Sequence, residues 1–175
     1  MKYLLFILLF TGLSMLAQDK KIEREDRISE EKMPGRAVEL INAEKPEAAR
    51  RLKYYFETDA NRTSYEAKFK YNGHKYSVEF DNNGKLEDIE VQLKKKEIPQ
   101  ITIQAIKSYI DERNERYKIE KIQAQYLPFI SENQAFFNSL KPEKVSPENY
   151  ELIIAVKTGG NYRGLKCCLI IPEKL

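Results

Sequence analysis

One histidine stands in the whole chain, His74. It follows Asn72-Gly73, a dipeptide that favours a two-residue hairpin because both residues tolerate positive φ, so it reads as a solvated turn residue. A single imidazole so placed cannot serve a Ser/His/Asp or Cys/His nucleophile, which needs a base within hydrogen-bond reach and a third group to orient it. The only two cysteines, Cys167 and Cys168, are adjacent. On a strand they leave by opposite faces, and a bridge between them would be strained, so they read as reduced, partly buried thiols. With no other sulfur and one histidine, a zinc-type site cannot be completed. Glu87 and Asp88 would point to opposite faces of a strand and make a poor acid/base pair. Asp81, Asn83 and Gly84 lack the oxygen spacing and closing glutamate of a calcium loop. The glycines of residues 158–164 join two strands rather than a strand and a helix, which is not a phosphate cradle. The expectation is a protein that is not an enzyme: catalytic residues none, metal none, cofactors none.

Recognition is the chemistry left. The 30 basic and 27 acidic residues are interspersed, so no nucleic-acid partner is expected. Alternation places Tyr55, Glu66, Lys68, Lys70, Lys75, Ser77, Glu79, Glu90 and Gln92 on one face of adjacent strands. An aromatic residue among mixed charges on such a face resembles a binding hot spot. A second candidate is residues 128–148, where Phe129, Phe136 and Phe137 stand among polar residues; Phe136 and Phe137 are the apolar anchors it could offer a partner. Ser131 and Gln134 have capping-box spacing for one short helix there.

The elements that carry these residues follow from periodicity. Pro34 suits a first helical turn and Pro46 ends the helix, giving roughly residues 34–44. Residues 49–59 alternate, with Leu52, Tyr54 and Phe56 on one row, although a helix over 46–57 competes. Tyr65, Ala67, Phe69 and Tyr71 face one way, and Tyr76, Val78 and Phe80 return along a second strand. Residues 81–84, "DNNG", turn into a third strand with Ile89, Val91 and Leu93. A second helix begins at Pro99, with Ile103, Ile106 and Ile110 on one stripe, and residues 117–127 form a strand. A hairpin turning near Gly159-Gly160 ends the chain.

The order repeats. Pro34 and Pro99 are 65 residues apart, Tyr65-Glu66 and Tyr150-Glu151 are 85 apart, and the difference of 20 is about the length of the insert at 128–148. The fold class expected is α+β: two tandem helix–antiparallel-sheet repeats, residues 32–97 and 98–175, forming one sheet of about seven strands with helices packed on one face. The second repeat lacks its closing strand, which leaves an edge open to pairing with a second copy of the chain, a homodimer, as an alternative to the readings below.

Tyr65-Glu66 opening a strand, the Asn72-Gly73 hairpin and "VEFDNNGKLEDIE" with its Phe-Asp-x-x-Gly-Lys-Leu turn resemble the PepSY-like family related to the β-lactamase inhibitor proteins. The resemblance covers roughly residues 32–127, and more weakly 148–171. It implies tandem helix-plus-sheet repeats, export in bacteria, no catalytic activity and, as in the inhibitor relatives, a concave outer sheet face that grips a protein. The insert and the short second repeat depart from that pattern.

The first residues agree with export. Met1-Lys2, the apolar "YLLFILLFTGLSML" and the polar "AQDKKIERED" have the build of a signal peptide, too short to span a bilayer, with cleavage expected after Ala17. Residues 18–31 are charge-rich and read as a flexible leader. The reading is an exported module, periplasmic or secreted, that binds a protein or peptide in the envelope through the outer sheet face, with no membrane contact after cleavage. The competing reading is a periplasmic small-ligand or cation-binding carrier.

Overall fold

The computed structural model describes residues 23–59, 62–112, 116–158 and 161–170. The expected signal peptide and the Gly159-Gly160 turn lie outside them. Eight strands form one antiparallel sheet, each paired with its neighbours in sequence: β1 Glu23–Ile28, β2 Arg50–Asp59, β3 Arg62–Tyr71, β4 His74–Phe80, β5 Leu86–Leu93, β6 Tyr117–Tyr126, β7 Asn149–Thr158 and β8 Asn161–Ile170. Helix α1 (Gly35–Glu44) lies between β1 and β2, α2 (Gln100–Asp111) between β5 and β6, and α3 (Glu132–Ser139) between β6 and β7. The class is α+β. None of the described helices is long and apolar enough to cross a membrane.

The extra strand is β1. Residues 23–28 of the expected flexible leader instead pair residue by residue with β2, from Glu23 opposite Asp59 to Ile28 opposite Tyr54, and residues 18–22 lie outside the described residues. Low apolar content hid it, because an edge strand can be held by ladder hydrogen bonds and ion pairs with little burial. The competing helix over 46–57 does not form; β2 does.

Both long helices are entered in the same way. A 3₁₀ turn (Glu30–Lys32 or Lys95–Glu97) leads to a buried apolar residue, Met33 or Ile98, and then to a proline. Pro34 (φ −57°, ψ 132°) and Pro99 (φ −53°, ψ 141°) cap the helices, where the missing N–H costs nothing. Glu97 bonds back to the Lys94 N–H at 2.8 Å.

The turns follow sequence chemistry. Asn72 (φ 46°) and Gly73 (φ 81°) are both left-handed, as the hairpin requires. In the next turn the Asp81 Oδ1 accepts from the N–H groups of Asn83 (2.8 Å) and Lys85 (2.9 Å), so Asp81 is a turn residue. Gly84 (φ 77°) closes this turn against α1: a Cβ there would stand 2.9 Å from both the Ala37 nitrogen and the Pro34 Cβ.

One apolar cluster gathers Ala37 and Ile41 of α1, Ile103, Ile106 and Ile110 of α2, and Phe136 of α3 with Phe69, Tyr76, Val78, Phe80, Ile89 and Val91 of the sheet. Phe69 and Tyr76 stack at 4.8 Å. Burying each of the larger side chains contributes roughly 1.5–3 kcal/mol. The insert belongs to this cluster. The Ser131 hydroxyl caps α3 from the Gln134 N–H at 3.1 Å. Glu132 accepts from Arg36 (2.8 Å) and from the Leu86 N–H (3.0 Å), tying α3 to α1 and β5.

Candidate functional site

The residues opposite the apolar row share the other face of the sheet, and register places them in three rows. Tyr55, Glu66, Glu79 and Asp88 form the first, across β2 to β5. Lys53, Lys68, Ser77, Glu90, Gln125 and Asn149 form the second, continuing to β7. Arg50, Lys70, Lys75, Gln92, Gln123 and Glu151 form the third.

This face is a trough. Glu66, Glu90, Gln123 and Glu151 are each less than 10% exposed although they point away from the apolar cluster. Polar neighbours on adjoining strands exclude the water, and such groups stay buried only when hydrogen-bonded. The Gln123 amide donates to Glu90, Gln125 donates to Asp88 at 2.8 Å, and Asn149 donates to Gln125 at 2.8 Å. Two adjoining hollows follow the trough, one of about 110 Å³ with mostly acidic walls and one of about 430 Å³ whose charged lining residues are basic except for Glu120. They share Lys68, Ser77, Lys121 and Gln123.

Lys68 is the junction. Its Nζ lies 2.7 Å from Glu66 Oε2, 2.8 Å from Glu25 Oε1 and 5.0 Å from the centre of the Tyr55 ring. Ser77 donates to the second Glu66 oxygen. Ligand oxygens of Glu25, Glu57 and Glu66 lie within 4.8 Å of one another, and the Lys68 ammonium reaches two of the three carboxylates. Burial, and then the neighbouring Glu57, push Glu66 up to about 9 against the pull of Lys68. Burial works to lower the Lys68 pKa, but Glu66 and Glu25 outweigh it and hold it above the usual lysine range.

Of the residues expected to bind a partner, the structure brings Tyr55, Glu66, Lys68, Lys70, Lys75 and Glu79 onto this one face. Phe136 does not join them. It is fully buried in the apolar cluster, because the Ser131 cap sets α3 so that Phe136 turns inward and its neighbour outward. Phe137 is half-exposed, with Lys141 Nζ 3.5 Å from its ring centre, and Phe129 is 76% exposed. His74 is also placed differently from the expectation. Its side chain is largely buried, with Nε2 3.1 Å from Glu97 Oε2, joining the β3–β4 hairpin to the turn before α2. Sequence reading missed Glu25, Glu57, Lys53, Arg51, Lys121, Gln123 and Glu151. The alternation in β6 and β7 carried the signal for the last three.

No family model, curated protein or solved structure matches this chain. The functional reading therefore rests on the face itself. His74 lies outside the trough, in its pair with Glu97.

Proposed function

We propose that this protein is an exported, non-enzymatic binding module of two PepSY-like repeats. Its helices cover one face of the sheet, and the other face holds a protein or peptide of the cell envelope. The single observation that carries this reading is the trough, a preorganised polar surface with Lys68 at the junction of its two hollows, the Tyr55 ring beside it and carboxylates buried in its floor. Free energy committed to a buried polar surface in the free protein is returned when a complementary partner satisfies it. The matching Pro34 and Pro99 entries and the 65-residue offset support the two repeats. The apolar run of residues 3–16 supports export and a periplasmic or secreted location.

The carrier reading has less behind it. Two of the three carboxylates that could hold a cation are already paired with the Lys68 ammonium. Immobilised mature protein should retain a saturable partner from an envelope extract, and Tyr55→Ala should weaken retention about tenfold or more, as for a central aromatic anchor. Equal retention by the variant, with its fold unchanged by circular dichroism, would contradict the proposal.

A further inference from the structure

Across β2, β3 and β4 the trough is electrically polarised along the strand direction, while farther across the sheet Glu90 and Glu151 stand in the second and third rows. At one end Glu66, Glu79 and Asp88 stand carboxylate opposite carboxylate across β3, β4 and β5. At the other end Arg50 faces Lys70, and Lys70 faces Lys75, with Lys53 opposite Lys68 one row away. Like charges directly opposite on a sheet repel and destabilise it, so ordinary surfaces interleave them.

The cations at the basic end have nothing to answer them. Among the described residues, Arg50, Arg51, Lys53, Lys70 and Lys75 are exposed and make no ion pair or side-chain hydrogen bond. Six cations line the larger hollow, with Glu120 the one acid among them. Arg51 holds φ 62° at the bulge between Arg50 and Lys53, a conformation that costs a non-glycine residue about 1 kcal/mol or more. The near-even charge of the whole chain conceals this segregation.

The partner's chemistry follows, on the reading that the outer face is the binding surface. We infer that the trough takes an extended peptide segment of opposite polarity, acidic where it crosses Lys70 and Lys75 and basic where it crosses Glu79 and Asp88. Glu66 and Lys70 are four residues apart on one strand, about 13 Å, so the segment reverses its charge within about four extended residues. Side chains on one face of such a segment recur every 6.6–7 Å, roughly the Lys68-to-Lys70 spacing. A uniformly anionic polymer is not the occupant, because it would have to cross the acidic row.

Three synthetic decapeptides decide this against the mature protein by fluorescence anisotropy: one with Glu at alternate positions of one half and Lys at those of the other, one of identical composition with the charges interleaved, and polyglutamate. The bipolar peptide should bind saturably and about tenfold or more tighter than the interleaved one, weakening with salt. Lys70→Glu combined with Lys75→Glu should abolish that preference while leaving the thermal midpoint within a few degrees. Equal binding of bipolar and interleaved peptides, or tighter binding of polyglutamate, would overturn the inference. If the bipolar peptide fails to bind while Tyr55→Ala still releases the envelope partner, the charge pattern is wrong and the outer-face reading stands. If Tyr55→Ala also leaves the partner bound, both fall.

Discussion

Lys68 and Glu66 leave the same face of β3, two residues apart, and their charged atoms meet at 2.7 Å, with the Lys68 Nζ 5.0 Å from the centre of the Tyr55 ring. Side chains so related ordinarily stand apart, each extended from the strand. Here Lys68 bends back toward a carboxyl that is more than nine-tenths buried and reaches Glu25 on β1 as well. The edge strand formed by the leader is therefore part of the site's electrostatics. A mature chain trimmed through residue 28 should lose both β1 and the Glu25 contact and bind the partner more weakly.

Glu66 gives the fold a pH dependence of definite sign. Its carboxyl ordinarily titrates near 4.5 and is pushed to about 9, by burial first and then by Glu57. Between those values the folded chain holds a proton that the unfolded chain releases. Stability should fall as pH rises through that window and level off above about 9. The groups facing Glu66 are Glu25, Glu57, Glu79, Lys68 and Tyr55. Glu66→Gln keeps the shape of the protonated acid and should flatten this part of the profile. Urea unfolding of both proteins at pH 5.5, 7 and 8.5 measures it, with the variant gaining on the wild type as pH rises.

Gly84 should be intolerant. An added Cβ meets backbone on one side and Pro34 on the other, and φ 77° disfavours any L side chain. Gly84→Ala should cost about 1–3 kcal/mol, read as a lower urea midpoint at unchanged slope.

The adjacent phenylalanines of α3 should behave oppositely. Phe136→Ala should cost about 3–5 kcal/mol, as for an emptied aromatic core position, whereas Phe137→Ala should stay within about 0.5 kcal/mol. Thermal unfolding separates them. Neither should change binding at the trough while the fold survives, because α3 belongs to the apolar cluster.

Much of this architecture was legible in the residues. Period-two alternation from Tyr65 to Leu93 named the core row and the charged row, and Asn72-Gly73 and "DNNG" fixed the turns between them. Pro34 and Pro99 marked both helix starts. Three features were not legible, each for a physical reason. The pairing of β1 depends on a partner strand more than 25 residues away, and its own composition is that of a solvated leader. Phe136 and Phe137 are chemically identical, and only the helix phase set by Ser131 decides which is core. The burial of Glu66, Glu90 and Glu151 arises from how neighbouring strands bring polar side chains together, which alternation alone does not encode. The polarity of the trough was hidden for the same reason, since Arg50, Lys70 and Lys75 become neighbours only once the register is known.

The central claim is that the outer sheet face is the surface that holds a partner. Covalent labelling of lysines in the partner complex, followed by mass spectrometry, tests it most directly. Lys70 and Lys75 should be protected several-fold, while Lys107 on α2 and Lys141 beside Phe137 label as in the free protein. Protection of Lys107 or Lys141 with Lys70 and Lys75 still freely labelled would contradict the account.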